Sequence, residues 1–589
     1  MRRRDALLLF GAALAIRALY IAQLRGYDLA DILILDPRAY DAEAQRILAG
    51  EPLRSAFYQA PFYSYFLAAI YKLFGREFLA VRAIQCVLGA ATVVFTASLG
   101  ARLFGRTAGL VAGILALLYG VFPYYEGQIM KTSLTVFLTT LLLYIVEPIA
   151  RRTAPAPTRD SAVRAGIAGI LLGCATLTRE NLILFAPAAA LLFYFRARDL
   201  AASIAFAAGV ALAILPVTLH NFRAEGEWIL VTSQGGQNFY IGNHEAATGT
   251  YTNPMFVRPD PLYERIDFQM EAVRRTEGAL TAGEASSFWY GQALREMLAN
   301  PMRAAGLLCK KVIIVFEGVE RPDNESLYVL RDAAPVLDVL SLSFAVVAAL
   351  GFLGMILSRA RAGEFLFLHL FALVNVAALA LFFVVSRYRV ALAPVLMIFA
   401  AYALVRTSQW ARERAVKPLA GAGAFIAAVL ALLSVPTWAG PDPRDYESVN
   451  HFLNRGRIYS AGNQLVEAAE NYRRAVALAD TLAFMRFEYA DVLRRMERPR
   501  EALDQLSAAV RIRPEFPTAR NNLGILLAED GDLASAEREF REAARLAPSW
   551  PDPLHNLARV YEITGQTAAR DAALAAAERV ARQAQEGNR

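Results

Sequence analysis

Eleven stretches of mostly apolar residues, each about long enough to cross a hydrocarbon core, constrain this 589-residue chain more than anything else in it. They fall near 6–24, 79–103, 108–124, 131–149, 163–178, 181–197, 199–219, 334–357, 364–384, 390–407 and 417–435, and 303–317 reads as an extra amphipathic element. With 56% hydrophobic and only 20% charged residues, a soluble fold would leave too much apolar surface in water, so a bilayer must absorb it. The composition excludes other classes. Thirty-four Phe, 24 Tyr and unpatterned Gly rule out disorder and collagen-like fibres. Three cysteines (Cys86, Cys174, Cys309), all in apolar stretches, cannot form a disulfide scaffold, and five His leave little for His-based metal or triad chemistry. The net charge of +7 comes from arginines clustered at the ends of apolar spans, not from a groove-tracking patch, so no nucleic-acid partner is expected.

Basic residues in short loops set the orientation. With Arg2, Arg3 and Arg4 cytoplasmic, alternation puts Arg102 and Arg106, then Arg151, Arg152, Arg159 and Arg164, on the same side. Arg196 and Arg198, Arg359 and Arg361, and Arg406, Arg412, Arg414 and Lys417 follow. The first span reads as a retained anchor, because it lacks a small-residue cleavage site and more spans follow. Long loops at 25–78 and 220–332 and a polar tail at 440–589 then lie outside, with GPDPRDY (440–446) as a linker.

The tail repeats itself every 34 residues: Ala468, Ala502, Ala536; Ala475, Ala509, Ala543; large residues at Tyr472, Leu506, Phe540; small ones at Gly456, Ala490, Gly524, Ala558. Asp480, Pro514 and Pro548 mark the repeat ends, and Arg570 stands at the usual small position of a degenerate last unit. Small residues let two helices approach while the large one plugs the interface. This resembles the tetratricopeptide repeat over roughly three and a half units, implying a concave surface for a peptide or protein partner. Packing against the membrane domain alone is the other reading. The expected fold is therefore all-α: a polytopic helical membrane domain over 1–435, a linker at 436–447, and an α-solenoid over 448–589.

Ionisable groups cluster at external span ends. Asp36 and Asp41 follow the first span, with Pro37, Tyr40 and Glu43 between and beside them; Asp36 also suits a helix N-terminus, since Pro37 fits a first helical position. Glu126 lies between the third and fourth spans, Arg179 between the fifth and sixth, and Arg387 and Arg389 end the ninth. The arginines either snorkel to membrane lipids or clamp a phosphate. Carboxylates and paired Arg on one face suit transfer of a sugar from a lipid phosphate: Arg neutralises the leaving charge and an acid takes the proton of the incoming hydroxyl, in one inverting displacement.

At these residues the chain resembles GT-C superfamily glycosyltransferases, in the branch of the dolichyl-phosphate-mannose–protein mannosyltransferases and their bacterial relatives, over roughly 1–435. The matching pattern is Asp36, Tyr40, Gly50 and Pro61-Phe62-Tyr63, then Leu177-Thr178-Arg179, His220-Asn221 leading to Gly235–Asn243, and Arg387-Tyr388-Arg389. The resemblance implies Asp36 as catalytic base, with Asp41, Glu126 and Tyr40 as secondary acid or positioning groups. It places donor phosphate on Arg387, Arg389 and Arg179, and loop-motif roles on His220, Asn221 and Asn243. It implies a polyprenyl-phosphate sugar as donor, and no nucleotide-binding loop is present. A divalent metal ion is left open: Gln59-Ala60 precede Pro61 where some relatives carry an acid, and no DxD occurs in the external loops. His244 reads as a surface loop residue rather than a ligand.

The acceptor is a protein Ser/Thr, slightly favoured by the repeats, or an envelope glycan or lipopolysaccharide. Arg-over-Lys usage and Ala richness point to a bacterial inner membrane, with the active face and repeats in the periplasm. The alternatives are an O-antigen ligase or polymerase, a flippase, and a non-catalytic scaffold recruiting proteins through its repeats. A flippase predicts charged midplane groups and broken helices, and a scaffold leaves the ordered external motifs idle.

Overall fold

The computed structural model describes residues 1–27, 30–51, 53, 55–151, 159–252, 254, 256–257, 261–321, 324, 326–433, 443–480, 482–548 and 550–586. Most of the 436–447 linker, and Arg152, lie outside these. Helices dominate throughout, and the one bridge among the described residues joins Tyr119 and Ser341. The chain divides into two compact units, Met1–Thr252 with Thr276–Pro443, and Asn253–Arg275 with Arg444–Arg589.

Among the described residues of the first unit seven helices are long and apolar enough to cross a membrane: Arg3–Leu24, Phe78–Phe104, Thr132–Ala150, Leu200–Glu225, Arg359–Leu381, Ser386–Arg412 and Val416–Leu433. Four of the eleven expected spans are not among them: the helix Arg159–Thr176, at the 163–178 stretch, carries Arg159, Asp160 and Arg164, and the other three are cut by local structure. The bridge between Tyr119 and Ser341, with Gly120 N donating to Leu340 O at 2.9 Å, stops the helices Arg106–Leu118 and Phe344–Leu357 short of full spans. The 181–197 stretch breaks into a 3-10 turn Glu180–Leu184, an α segment Phe185–Leu191 and a π segment Leu192–Arg196. Close approach through small residues holds the bundle. The helices Arg159–Thr176 and Leu200–Glu225 touch so closely that a Cβ on Gly169 would lie 2.1 Å from Phe206 O, and one on Gly209 would lie 2.3 Å from Gly166 O.

The second unit contains eight consecutive helices, Pro443–Ala461, Leu465–Leu478, Ala483–Arg495, Pro499–Ile512, Pro517–Glu529, Leu533–Leu546, Asp552–Ile563 and Thr567–Glu586, plus the loop helix Pro261–Thr276. The small–large alternation has the expected cause. A Cβ on Gly456 would stand 3.0 Å from the Tyr472 ring, and one on Gly524 2.7 Å from the Phe540 ring. The repeat extends to polar contacts. Arg486 bonds Asp480 O and Gln505, and Arg520, 34 positions on, bonds Pro514 O and Glu539.

Candidate active site

The first external loop folds into the helix Leu35–Ala49, which Gly50 ends in the left-handed conformation at φ 68°. Its start is unusual. Leu35 also has a positive φ, 51°, which costs a non-glycine residue energy and survives only where the surroundings enforce it. The next residue, Asp36, sits in the first turn, where free N–H groups favour a carboxylate.

Asp36 meets Arg387 across 351 positions of sequence: Arg387 Nη1 donates to Asp36 Oδ2 at 2.5 Å, and Gln59 Nε2 to Oδ1 at 3.1 Å. The carboxyl and guanidinium side chains are 7% and 10% exposed. Burial pushes the Asp36 carboxyl up, but the Arg387 charge and hydrogen bond, the Lys131 charge and the Gln59 bond outweigh it and hold the group below its usual value. Arg387 belongs to the short turn Ser386–Arg389 after the helix Leu366–Leu381. Arg179 completes this edge. Its guanidinium lies 4.1 Å from the centre of the Tyr388 ring, and its Nη2 donates to Arg387 O at 3.3 Å. Tyr40, 3% exposed and one helical turn after Asp36, packs edge-on to Tyr63, and burial and then Asp36 push its phenol up.

One member was not foreseen from the sequence. Lys131, the residue before the helix Thr132–Ala150, is 6% exposed, lies 5.6 Å from the Tyr40 ring, and donates to no acceptor among the described residues. Burial pulls its ammonium down to about 8, Glu180 and Asp36 oppose this, and Arg179 and Arg387 add to it. Glu180 is itself engaged by Gln234 Nε2 at 2.5 Å. A signal existed in the chain: Lys131 is one of five lysines in an arginine-rich sequence, and it opens an apolar span.

Other expected residues are placed elsewhere. Arg389 spends its donors on backbone, on Ile314, Val315, Glu317 and Val319 carbonyls, and pairs with Glu320 at 2.9 Å; it ties two segments together instead of reaching the Asp36 cluster. Asp41 accepts from Tyr71 Oη, Gln45 and a bidentate Arg76, which fastens its helix to Phe62–Phe74. Glu126 is chelated by Arg17 of the first span at 2.5 and 2.8 Å. Asn221 accepts from Phe57 N and donates to Ile229 O and Val231 O, and His220 lies against Ser55 O and the Phe57 ring. Asn243 accepts from Lys311 and donates to Phe239 O and Leu381 O. These side chains are engaged in bonds within the fold, although Arg389 keeps a buried Nε without a partner among the described residues. His244 is buried and bonds Thr252 O and Ala246 N, so it is not the surface loop residue expected. Among the described residues no group of three or more His, Cys, Asp or Glu stands together as a metal-ligand set.

Residues 58–220 match the family model described as dolichyl-phosphate-mannose-protein mannosyltransferase, and 488–551 match that of the tetratricopeptide repeat. No curated protein matches the chain. Solved structures similar to part of it include MamA (17% identity, 24% of this chain and 84% of that one, TM-score 0.24). Another is YrrB, described as a TPR protein with an unusual peptide-binding site (21% identity, 30% and 82%, TM-score 0.22). The chain thus joins a region similar to the mannosyltransferase family, set among helices apolar enough to cross a membrane, to a C-terminal tetratricopeptide repeat.

Proposed function

We propose that the chain transfers a sugar from a polyprenyl-phosphate donor to an acceptor hydroxyl on the outer face of a bacterial inner membrane, with Asp36 as base. The observation that carries this is the convergence of Asp36, Arg387 and the buried ammonium of Lys131, which has Asp36 and Arg387 among its charge neighbours. Three cations (Lys131, Arg179, Arg387) face two acids (Asp36, Glu180), an excess that suits an anionic ligand. In the reaction the acceptor oxygen bonds to C1 of the sugar as the C1–O(phosphate) bond breaks. The hydroxyl proton passes to Asp36, polyprenyl phosphate leaves with its charge met by Arg387 and Lys131, and the anomeric centre inverts.

Protein Ser/Thr is the favoured acceptor, because the repeats offer a means of recruiting polypeptide; an envelope glycan is the other candidate. Asp36→Asn tests the base. Transfer should fall by about three orders of magnitude, within the range typical for loss of a general base, while the folded protein still binds polyprenyl phosphate. Activity near that of the unmodified protein would remove Asp36 from this role.

A further inference from the structure

The second external loop was expected to belong wholly to the membrane domain, yet its middle does not. Residues Asn253–Arg275 form one compact unit with the repeats, while the chain up to Thr252 and from Thr276 belongs to the other unit. The helix in this segment, Pro261–Thr276, has 16 residues and a polar sequence, too little to hold itself together in water. It is nevertheless anchored along one stripe: Phe268 and Ala272 are fully buried and Glu264 is 8 residues or two turns from Ala272, at 7% exposure. Phe256 packs edge-on to Phe268 at 5.3 Å, the Arg275 guanidinium lies 5.5 Å from the Phe256 ring, and Val257 is buried beside them. Arg274 has Glu515, in the turn between the helices Pro499–Ile512 and Pro517–Glu529, as a charge neighbour, and Glu515 is shared with Arg545.

We infer that Asn253–Arg275 is an internal ligand of the repeat domain, seated where an outside polypeptide would otherwise bind. The partner that replaces it is a polypeptide segment of the same chemistry, a short helix with an aromatic anchor and flanking arginines. Because the segment is tethered at both ends, its effective concentration is on the order of millimolar. With an intrinsic Kd of about 10–100 µM for the tethered segment itself, any outside peptide is then weakened about 10- to 100-fold. The repeats are therefore selective: a weak segment is excluded, and only one that binds more tightly or is locally abundant takes the place of the loop.

The test uses the full chain in detergent and a fluorescent synthetic peptide of residues 253–276, followed by anisotropy. The chain carrying Phe268→Asp and Ala272→Asp should bind the peptide about tenfold or more tightly than the unmodified chain, and a peptide with Phe268→Asp should bind neither. Equal binding to both chains, or binding to neither, overturns the inference. A second measurement does not depend on those substitutions. In a chain with Cys309→Ser, the pair Arg274→Cys and Glu515→Cys should be joined within one molecule by a short bis-maleimide, and the joined protein should refuse the peptide. Absence of the cross-link, or peptide binding undiminished by it, also overturns the inference.

Discussion

Lys131→Met should make the empty protein more stable and its grip on donor weaker, and the opposite signs separate a ligand-binding lysine from a structural one. Lys131 is 6% exposed, and burial, opposed by Glu180 and reinforced by Arg179 and Arg387, lowers its ammonium from 10.5 to about 8. A base whose folded value lies below its unfolded one costs stability while charged. The cost is complete below about 8, shrinks as pH rises, and is gone above the unfolded value. At about 1.4 kcal/mol per unit, it is about 3 kcal/mol at pH 7 and about 1 kcal/mol at pH 9.5. The methionine variant should therefore unfold later than the unmodified protein, by a margin that narrows from pH 7 to pH 9.5. A donor phosphate about 4 Å away at an effective dielectric near 20 attracts the ammonium by about 4 kcal/mol. After partial compensation by the neighbouring guanidiniums, the variant should lose about 2–3 kcal/mol of donor binding, on the order of 30- to 150-fold in Kd. Thermal unfolding in detergent and titration with a short-chain polyprenyl phosphate read the two effects. A destabilised Lys131→Met that binds the lipid phosphate as before would refute the reasoning.

Arg389→Lys should destabilise the fold by about 2–4 kcal/mol, since lysine cannot span the carbonyls of Ile314, Val315, Glu317 and Val319 together. Its folded fraction should bind donor normally, and a selective loss of donor affinity would return Arg389 to the phosphate site. Gly89→Ala should cost about 3–5 kcal/mol in an unfolding titration, because the added Cβ would sit 1.9 Å from Glu126 Oε1 and force the carboxylate off Arg17. An unchanged midpoint would show that the Arg17–Glu126 pair has room to move.

The repeat domain was open to reading because each helix pair imposes the same small–large contact, and Gly456 against Tyr472 repeats as Gly524 against Phe540. Apolar stretches were legible as helices but not as spans, since hydropathy cannot see a backbone bridge such as Tyr119–Ser341 that cuts two of them short. Within the site, helical geometry divides the residues that sequence listed side by side. At about 100° per residue, Tyr40 lies near the face of Asp36, whereas Asp41 points well away, toward Arg76 and Tyr71. Arg387 and Arg389 are two positions apart on a helical turn, so about 200° separates them; one reaches Asp36 and the other the Ile314–Glu320 backbone. Lys131 was overlooked because a lysine at the start of an apolar span looks like one that snorkels to water, and only the fold shows it enclosed. Nothing in the 253–275 stretch marks it as part of the repeat unit, because Phe268 and Ala272 form a stripe that any amphipathic helix carries.

The Asp36–Arg387 pair poses a difficulty for the proposed chemistry that the geometry also answers. A carboxylate that accepts from a guanidinium at 2.5 Å and is held below its usual value is a poor base for a hydroxyl proton. The interactions that hold it down are, however, the ones a donor phosphate competes for. The donor phosphodiester carries one negative charge, as a carboxylate does, and gains a second as its C1–O bond breaks, so it draws Arg387 and Lys131 toward itself as it leaves. Asp36 then keeps the burial that raises it and loses the cations that lower it. Its basicity rises only while a leaving phosphate is in place. In the empty site the same pairing neutralises a buried acid that would otherwise be costly to keep charged. The turn that begins with Leu35 at φ 51° holds Asp36 where it serves both states, one as the partner of Arg387 and the other as the acceptor of a proton.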